Sequence, residues 1–308
     1  MTIYIISNER KVDKIIEQMR TKKLPPGDTR NKSALIIGEG SVTSMLPELS
    51  LLCDNVILAD INADVIEHNQ LIIDLLLMSS NRAQFANLYK KNAGVYAYHM
   101  LEEYEQNGDW GQLGFKKLCA RAEDLGTSFF LSSEERFLQC KKAAELLRIE
   151  PLIINVFDLE QVKVVQHDLK QSNRSISVIN VTNLYEWDAN KNVLECKKRA
   201  EWQPNHNVRN MLKLLLDSAS EYIILYSGYE KNDDLHLVAK VNTTLDDYLS
   251  EVEQAVQEQI AGYEKSLQKL YESKSSQFKS IFCSKLSSEI QTENKEQMQS
   301  KDIYKNSY

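Results

Sequence analysis

The sequence lacks a hydrophobic segment long enough to cross a membrane. Its longest apolar stretch, 71–78, is far shorter than a bilayer requires and is interrupted by Asp74. The first eleven residues have neither the basic start nor the small-residue cleavage site of a secretory signal. We therefore expect no membrane span and no cleaved signal peptide.

The sequence also lacks a cysteine motif and a net positive charge. The five cysteines are odd in number, scattered and never in CxxC spacing, which excludes a zinc ribbon or a disulfide framework and favours the reduced thiols of a cytoplasmic protein. Because the net charge is -7, nucleic acid is not expected to be the main partner. A small molecule or a protein remains as the expected substrate.

Short apolar runs alternate with helical patterns and predict a parallel sheet. Residues 34–37 end at a glycine, residues 55–60 end at an aspartate, and a helical pattern joins the two runs. Such a βαβ unit indicates an α/β fold, a Rossmann-like three-layer sandwich with a mostly parallel sheet. The pattern predicts further strands at 152–156, 162–165, 175–180, 221–226 and 235–240.

Changes in the sequence pattern divide the chain into segments. Residues 1–32 are interpreted as a lead-in, and residues 33–245 as the Rossmann-like domain. Within that domain, residues 70–150 carry helical periodicity and several aromatic side chains, which predicts a helical insertion after the second strand. Ser133 is expected to cap one helix of this insertion. Its tyrosines line either a substrate site or, as we favour, a small core of the insertion.

The C-terminal part changes character twice. Apolar residues recur at three- and four-residue steps through 246–285, which predicts one long amphipathic helix, capped by Thr244 and Asp247, that pairs with a partner or with a second copy. Residues 286–308 are polar and are expected to be disordered.

Two motifs at strand ends indicate a nucleotide site. Gly38-Glu39-Gly40 follows the first predicted strand, where a glycine turn lets the backbone approach a ligand closely. Asp60 ends the second strand about twenty residues later, where a carboxylate can accept both hydroxyls of a ribose. The alternatives are a tight turn for the glycines and a helix N-terminal acid for Asp60.

Two further motifs follow later predicted strands. Asp168, next to His167, closes the run 162–165 and is within reach of an adenine amine, unless it is a simple loop aspartate. Asn180 ends the next strand, and Asn183 and Tyr185 follow it, at the edge where open α/β sheets bind ligands. The alternative for this segment is a strand end followed by an aromatic packing anchor.

The order of these four motifs resembles that of class I S-adenosylmethionine-dependent methyltransferases. The segment Ala59-Asp60-Ile61-Asn62-Ala63 is especially similar to the second-strand segment of that family, and the likeness covers 33–241 without the insertion. The resemblance implies S-adenosylmethionine as cofactor and a reacting centre at Asn180, Asn183 and Tyr185. It also implies a set of cofactor-binding residues: Gly38, Glu39, Gly40, Asp60, Ile61, His167, Asp168 and Asn180.

Two positions depart from the family pattern. Ile36 stands where an acid usually precedes the glycines, and Val42 replaces the third glycine. These changes favour an alternative, a methyltransferase-like scaffold that has lost catalysis and binds a partner protein. A dinucleotide-dependent dehydrogenase is a weaker alternative, because Thr43 occupies the place of its third glycine.

The polar tail resembles a further class of sequence. Glu289, Glu293 and Glu296 lie among small polar residues near the C-terminus, as in the glutamate-rich signals of effectors exported by bacterial type IV secretion systems. That resemblance implies export into a host cell, whereas a solvated polar tail is the plainer interpretation.

Overall fold

The computed structural model describes most of the chain up to the start of the C-terminal helix. The described residues are 12–21, 28–38, 42–92, 110–120, 125–181, 184, 206–218, 220–229, 235–251 and 254. Met1–Leu249 forms one compact unit and Ser250–Tyr308 another. In the described parts, no helix is long and apolar enough to cross a membrane.

The first unit alternates strands and helices. In chain order its elements are α1 (Val12–Thr21), β1 (Lys32–Ile37), α2 (Val42–Leu49), β2 (Asn55–Asp60), α3 (Ala63–Met78), α4 (Arg82–Asn92), α5 (Trp110–Ala120), a 3-10 turn (Gly126–Ser128), α6 (Glu134–Leu146), β3 (Arg148–Ile153), α7 (Leu159–Gln171), β4 (Ser175–Asn180), α8 (His206–Leu215), β5 (Tyr222–Tyr229) and β6 (Leu235–Thr243).

The six strands form one sheet in the order β3-β2-β1-β4-β5-β6. The first five strands are parallel, and β6 is antiparallel to β5 at the edge. Right-handed crossovers put α2 and α3 on one face of such a sheet and α7 and α8 on the other. The predicted Rossmann-like fold class with a mostly parallel sheet is confirmed.

Central strands agree well with the sequence prediction. β2 and β4 match the predicted bounds residue for residue; β2 is buried up to its last residue, and β4 is buried at Ile176 and from Val178 to Asn180. A strand covered on both faces has a continuous apolar sequence, which is easy to recognise. β3 is different, because it begins four residues before the predicted 152–156 and contains Pro151.

The prediction of a strand at 162–165 is wrong, because these residues lie within α7. Asp158 caps this helix by accepting a hydrogen bond from the N–H of Glu160 at 3.0 Å. Val162, Val165 and Leu169 recur at three- and four-residue steps and are buried. That helical periodicity outweighs the β propensity of the valines, since only one side of the segment meets the core.

Between β2 and β3 the described residues are mainly helical, as expected for the insertion. An aromatic cluster fills the space among these helices: the rings of Phe85 and Phe130 lie 5.2 Å apart, and those of Phe85 and Tyr89 lie 5.9 Å apart. Ser133 caps α6 through the N–H of Arg136, as predicted. Tyr89 is completely buried, so it belongs to the core of the insertion.

The C-terminal helix is described only at its start. Residues 245–249 are helical, and the N–H of Asp247 donates to the hydroxyl of Thr244 at 3.1 Å. The same hydroxyl donates to the carboxylate of Asp247 at 2.8 Å, which confirms the predicted cap. Of the second unit only 250, 251 and 254 are described, so most of the predicted helix 246–285 and all of the tail lie outside the described residues.

Candidate functional site

The candidate site lies at the carboxyl edge of the sheet, where the strand order reverses. β1 has β2 on one side and β4 on the other, so connections leave β1 and β4 in opposite directions. Open α/β sheets bind ligands in the crevice outside such a switch point. Ile36 pairs with Asn180 and Ile37 with Ala59, so Gly38, Asp60 and the end of β4 lie at the same level.

Gly38 leaves the sheet in a conformation that suits glycine. Its N–H still donates to the carbonyl of Ala59 at 2.8 Å, and its φ of +81° is in the left-handed region. A Cβ built on Gly38 would lie 3.8 Å from Oδ2 of Asp60, so the absence of a side chain keeps the carboxylate accessible from this side. The two predicted motifs therefore meet in space. Glu39 and Gly40 lie outside the described residues.

Asn69 contacts the glycine turn from α3, and the sequence pattern did not identify it as a site residue. It is buried on α3, and its Nδ2 lies 3.4 Å from the carbonyl oxygen of Gly38, to which it donates a hydrogen bond. The available signal was a buried polar residue within an otherwise apolar helix face, because such groups need partners. Asn69 links α3 to the glycine turn and supports the orientation of that peptide.

Asp60 is half-buried and held by the start of α3. Its Oδ1 accepts the N–H of Asn62 at 2.7 Å, and Asn62 in turn caps α3 by accepting the N–H of Asp64. Burial raises the pKa of Asp60 above its ordinary value, and hydrogen bonds from the N–H groups of Asn62 and Ile61 partly oppose this rise. The hydrogen bonds orient the carboxylate while leaving Oδ2 toward the glycine turn.

His167 and Asp168 are not part of this edge. Both lie on the exposed side of α7, in the part of the helix that leads to the amino end of β4, so the prediction that Asp168 closes a third strand is wrong. The segment that follows β3 is instead Ile154-Asn155-Val156. Ile154 continues the ladder, with its N–H donating to the carbonyl of Asp60 at 2.8 Å.

An apolar surface flanks Asp60. Ile61 follows Asp60 directly and is 67% exposed, while Ile153 pairs with Asp60 in the sheet and is 61% exposed. Asn155 is held next to them, because its Oδ1 accepts the N–H of Phe157 and its N–H donates to Gln161. Exposed isoleucines beside an oriented carboxylate suit a ligand with one polar and one flat apolar part.

The end of β4 is described as far as Val181. Asn180 and Val181 are both completely buried, and the N–H of Val181 donates to the carbonyl of Leu225 at 2.8 Å. The predicted residues Asn183 and Tyr185 lie outside the described residues. The relation of these two residues to Asn180 therefore stays a prediction.

The two departures from the family pattern are both core positions. Ile36 and Val42 are completely buried and belong to the main hydrophobic cluster. Ile36 is in the middle of the sheet, where an acid would lose its hydration. Val42 is the first residue of α2, and its side chain packs in the hydrophobic core.

A cavity of about 430 Å³ lies at the opposite, amino-terminal edge of the sheet. Lys170 and Lys213 line it from the last turns of α7 and α8, together with Asp217 and Glu221. Positive side chains at helix C-termini stabilise the exposed carbonyl groups there. This stabilising role explains the basic lining without a ligand. Elsewhere in the described residues, no three His, Cys, Asp or Glu side chains are grouped to hold a metal.

No family model matches the sequence, and no curated protein matches it. Among the solved structures that match are two of the rRNA methyltransferase aviRa from Streptomyces viridochromogenes. They are 14% and 15% identical to this chain, cover 71% of it and 74% of their own chain, and have a TM-score of 0.33. The fold class therefore rests on the strand order and strand directions of this chain's own sheet.

Proposed function

We propose that this chain binds S-adenosylmethionine at the carboxyl edge of its sheet and transfers the methyl group to a small molecule or a protein side chain. The meeting of Gly38 and Asp60 at the switch point carries the proposal. A glycine in the left-handed region and an oriented carboxylate 3.8 Å from its missing Cβ form a cradle that any larger residue at position 38 would narrow.

Asp60 is the proposed ligand of the ribose. A carboxylate accepts hydrogen bonds on both oxygens, and the two hydroxyls of a ribose are spaced to use them. Oδ1 already accepts the N–H of Asn62, which fixes the plane of the carboxylate before a ligand arrives. Preorganisation of this kind lowers the entropy cost of binding.

Ile61 and Ile153 are the proposed contacts of the adenine ring, instead of His167 and Asp168. Their exposed fractions of 67% and 61% are large for isoleucine, and both flank Asp60. A flat ring laid against them would remove apolar surface from water, which is favourable by roughly 25 cal/mol per Å². Asn155 lies two residues after Ile153 in the chain, is partly buried, and is the proposed partner for the ring edge.

The cofactor would supply a methyl group on a positively charged sulfur. Transfer of that methyl group to a nucleophilic atom of the acceptor would leave S-adenosylhomocysteine as the second product. The protein contributes position and exclusion of water, so an amine that is already neutral needs no general base. Asn180, Asn183 and Tyr185 remain the proposed residues of the acceptor side.

Calorimetric titration with S-adenosylhomocysteine tests the proposal. Wild type is expected to bind with a Kd of roughly micromolar or lower. Asp60→Ala is expected to weaken binding at least about 100-fold, because two hydrogen bonds to a charged group are lost. The matched control is Asp168→Ala, which removes the same side chain from the exposed side of α7 and should leave the Kd unchanged.

Absence of binding heat and of a thermal shift in wild type would contradict the proposal. It would favour the second candidate, a methyltransferase-like scaffold that binds a partner protein. The observation in favour of the scaffold is Ile36, a fully buried residue where the resembling family carries an acid. Equal weakening by Asp60→Ala and Asp168→Ala would also count against the proposed site.

Two further predictions concern the C-terminal part. The helix predicted for 246–285 is the proposed surface for a partner or for self-association, and the tail after Lys285 is the proposed export signal. Deletion of residues 286–308 is expected to abolish transfer of a reporter fusion into host cells. Unchanged transfer would eliminate the export proposal and leave the methyltransferase proposal intact.

A further inference from the structure

The helix that follows the glycine turn is weak by itself. α2 has eight residues, and isolated helices shorter than about 12 residues are marginal in water. Pro47 lies inside it and has no N–H, so the carbonyl of Thr43 lacks its usual helical donor. A helix of this kind needs support from neighbouring elements to keep one position.

The helical insertion supplies that support at the first turn of α2. All α2 residues except Pro47 are buried, and α2 packs against α6. The hydroxyl of Ser44 accepts the N–H of Phe130 at 3.2 Å, and the carbonyl of Ser44 accepts Nη2 of Arg136 at 2.6 Å. Both donors come from the insertion, about ninety residues later in the chain than Ser44.

The same arginine also holds the last turn of α2. Nη1 and Nη2 of Arg136 donate to the two carboxylate oxygens of Glu48 at 3.1 and 2.9 Å, and Nε donates to the carbonyl of Ser128 at 3.1 Å. Arg136 is 5% exposed and Glu48 is 3% exposed. Arg20 adds a third contact to Glu48 from α1. One buried guanidinium thus joins both turns of α2 to the insertion.

We propose that Arg136 and Glu48 are positioning residues for the ligand site: they hold the N-terminal turn of α2, and with it the end of the glycine turn, in the geometry that binds the cofactor. The inference rests on the proposed function. The first N–H groups of a helix have no internal partners and attract anionic groups, so the carboxylate of the cofactor would be sensitive to the position of this turn. The insertion therefore takes part in ligand binding without touching the ligand.

The test uses a double variant that removes the ion pair without leaving a buried charge. Glu48→Leu with Arg136→Met replaces the pair by apolar side chains of similar length, a change that is often neutral for stability. The matched control is Arg82→Met with Glu134→Leu, an ion pair of the same insertion that is 40% and 46% exposed. Each protein is measured by titration with S-adenosylhomocysteine, thermal unfolding, and hydrogen exchange of the amides of Leu46 and Leu49, which donate to carbonyl groups of the first turn of α2.

The Kd of the Glu48/Arg136 variant is expected to rise about tenfold or more, with the control within about twofold of wild type. Exchange at Leu46 and Leu49 should accelerate relative to β1 and β4, while the melting temperature stays near that of wild type. A Kd within twofold of wild type would overturn the positioning role. If wild type itself does not bind, the proposed function fails, and exchange at Leu46 and Leu49 alone decides: unchanged exchange overturns the inference and faster exchange supports it.

Discussion

Oδ2 of Asp60 lies 3.8 Å from the position that a Cβ would take on Gly38. The distance is an ordinary van der Waals contact, so an alanine at position 38 would meet no protein atom too closely. The loss of stability and of ligand binding that we expect for Gly38→Ala has two other sources. One is the φ of +81°, and the other is the space between the turn and the carboxylate that a methyl group would occupy.

Gly38→Ala is expected to destabilise the protein by about 1–2 kcal/mol through backbone strain and to weaken cofactor binding as well. The control is Gly126→Ala, because Gly126 also has a positive φ, +51°, and its Cβ would meet nothing within 4 Å. Urea unfolding should show similar losses for both variants. Calorimetry should show weaker binding only for Gly38→Ala, and equal effects on binding would argue against the site.

Asp60→Asn is expected to stabilise the ligand-free protein at neutral pH and to weaken ligand binding. Since burial raises the pKa of Asp60, the native state binds a proton more readily than the unfolded state. Stability from this group is present below its ordinary pKa of 3.8 and is lost as pH rises through the raised value. Asp60→Asn should therefore be more stable than wild type at pH values above the raised pKa of Asp60, and this difference in stability should vanish below pH 3.8. Urea unfolding of both proteins at neutral pH and below pH 3.8 measures the difference in stability.

The buried pair of His68 and Tyr89 is expected to make the insertion sensitive to acid. Nε2 of His68 lies 2.8 Å from the hydroxyl of Tyr89, and burial lowers the pKa of His68 from 6.5 to about 3. The unfolded state then binds more protons between these two values. Stability from this group is thus present above pH 6.5 and is lost as pH falls toward 3.

His68→Gln is therefore expected to unfold at lower pH than wild type, because it keeps a polar group near Tyr89 and cannot be protonated in this range. Circular dichroism during acid titration measures the midpoint. His167→Gln, a change on the exposed side of α7, is the control and should leave the midpoint unchanged. A lower midpoint in the control alone would refute the assignment to His68.

Pro151 protects the edge of the sheet. The N–H groups of Arg148 and Ile154 donate toward β2, so alternation turns position 151 outward, where a proline costs no ladder bond. Pro151→Val is expected to keep the fold and to add an outward N–H group, which favours pairing with a second copy. Size-exclusion chromatography over a range of concentrations checks this. A monomer at all concentrations would show that Pro151 has no such role.

The central strands were predictable because a strand that is buried on both faces needs apolar residues in its own sequence. Apolar residues dominate the centres of runs such as 55–60 and 175–180, which is typical of strands covered on both faces. α7 was not predictable in the same way. Its valines suit either structure, and the outcome depended on which side chains met the core, as the exposed Val164 illustrates.

The candidate site also has features that the sequence predicts and features that it does not. The sequence by itself determined the mostly parallel sheet, the glycine that follows β1 and the acid that ends β2, because strand ends and turns are set by neighbouring residues. Only the tertiary structure decided that Asn69 supports Gly38, that Ile153 flanks Asp60, and that Arg136 holds α2. The hydrogen bond between Arg136 and Ser44 joins residues 92 positions apart, and the packing of the insertion on the sheet brings such residues together, which no local pattern encodes.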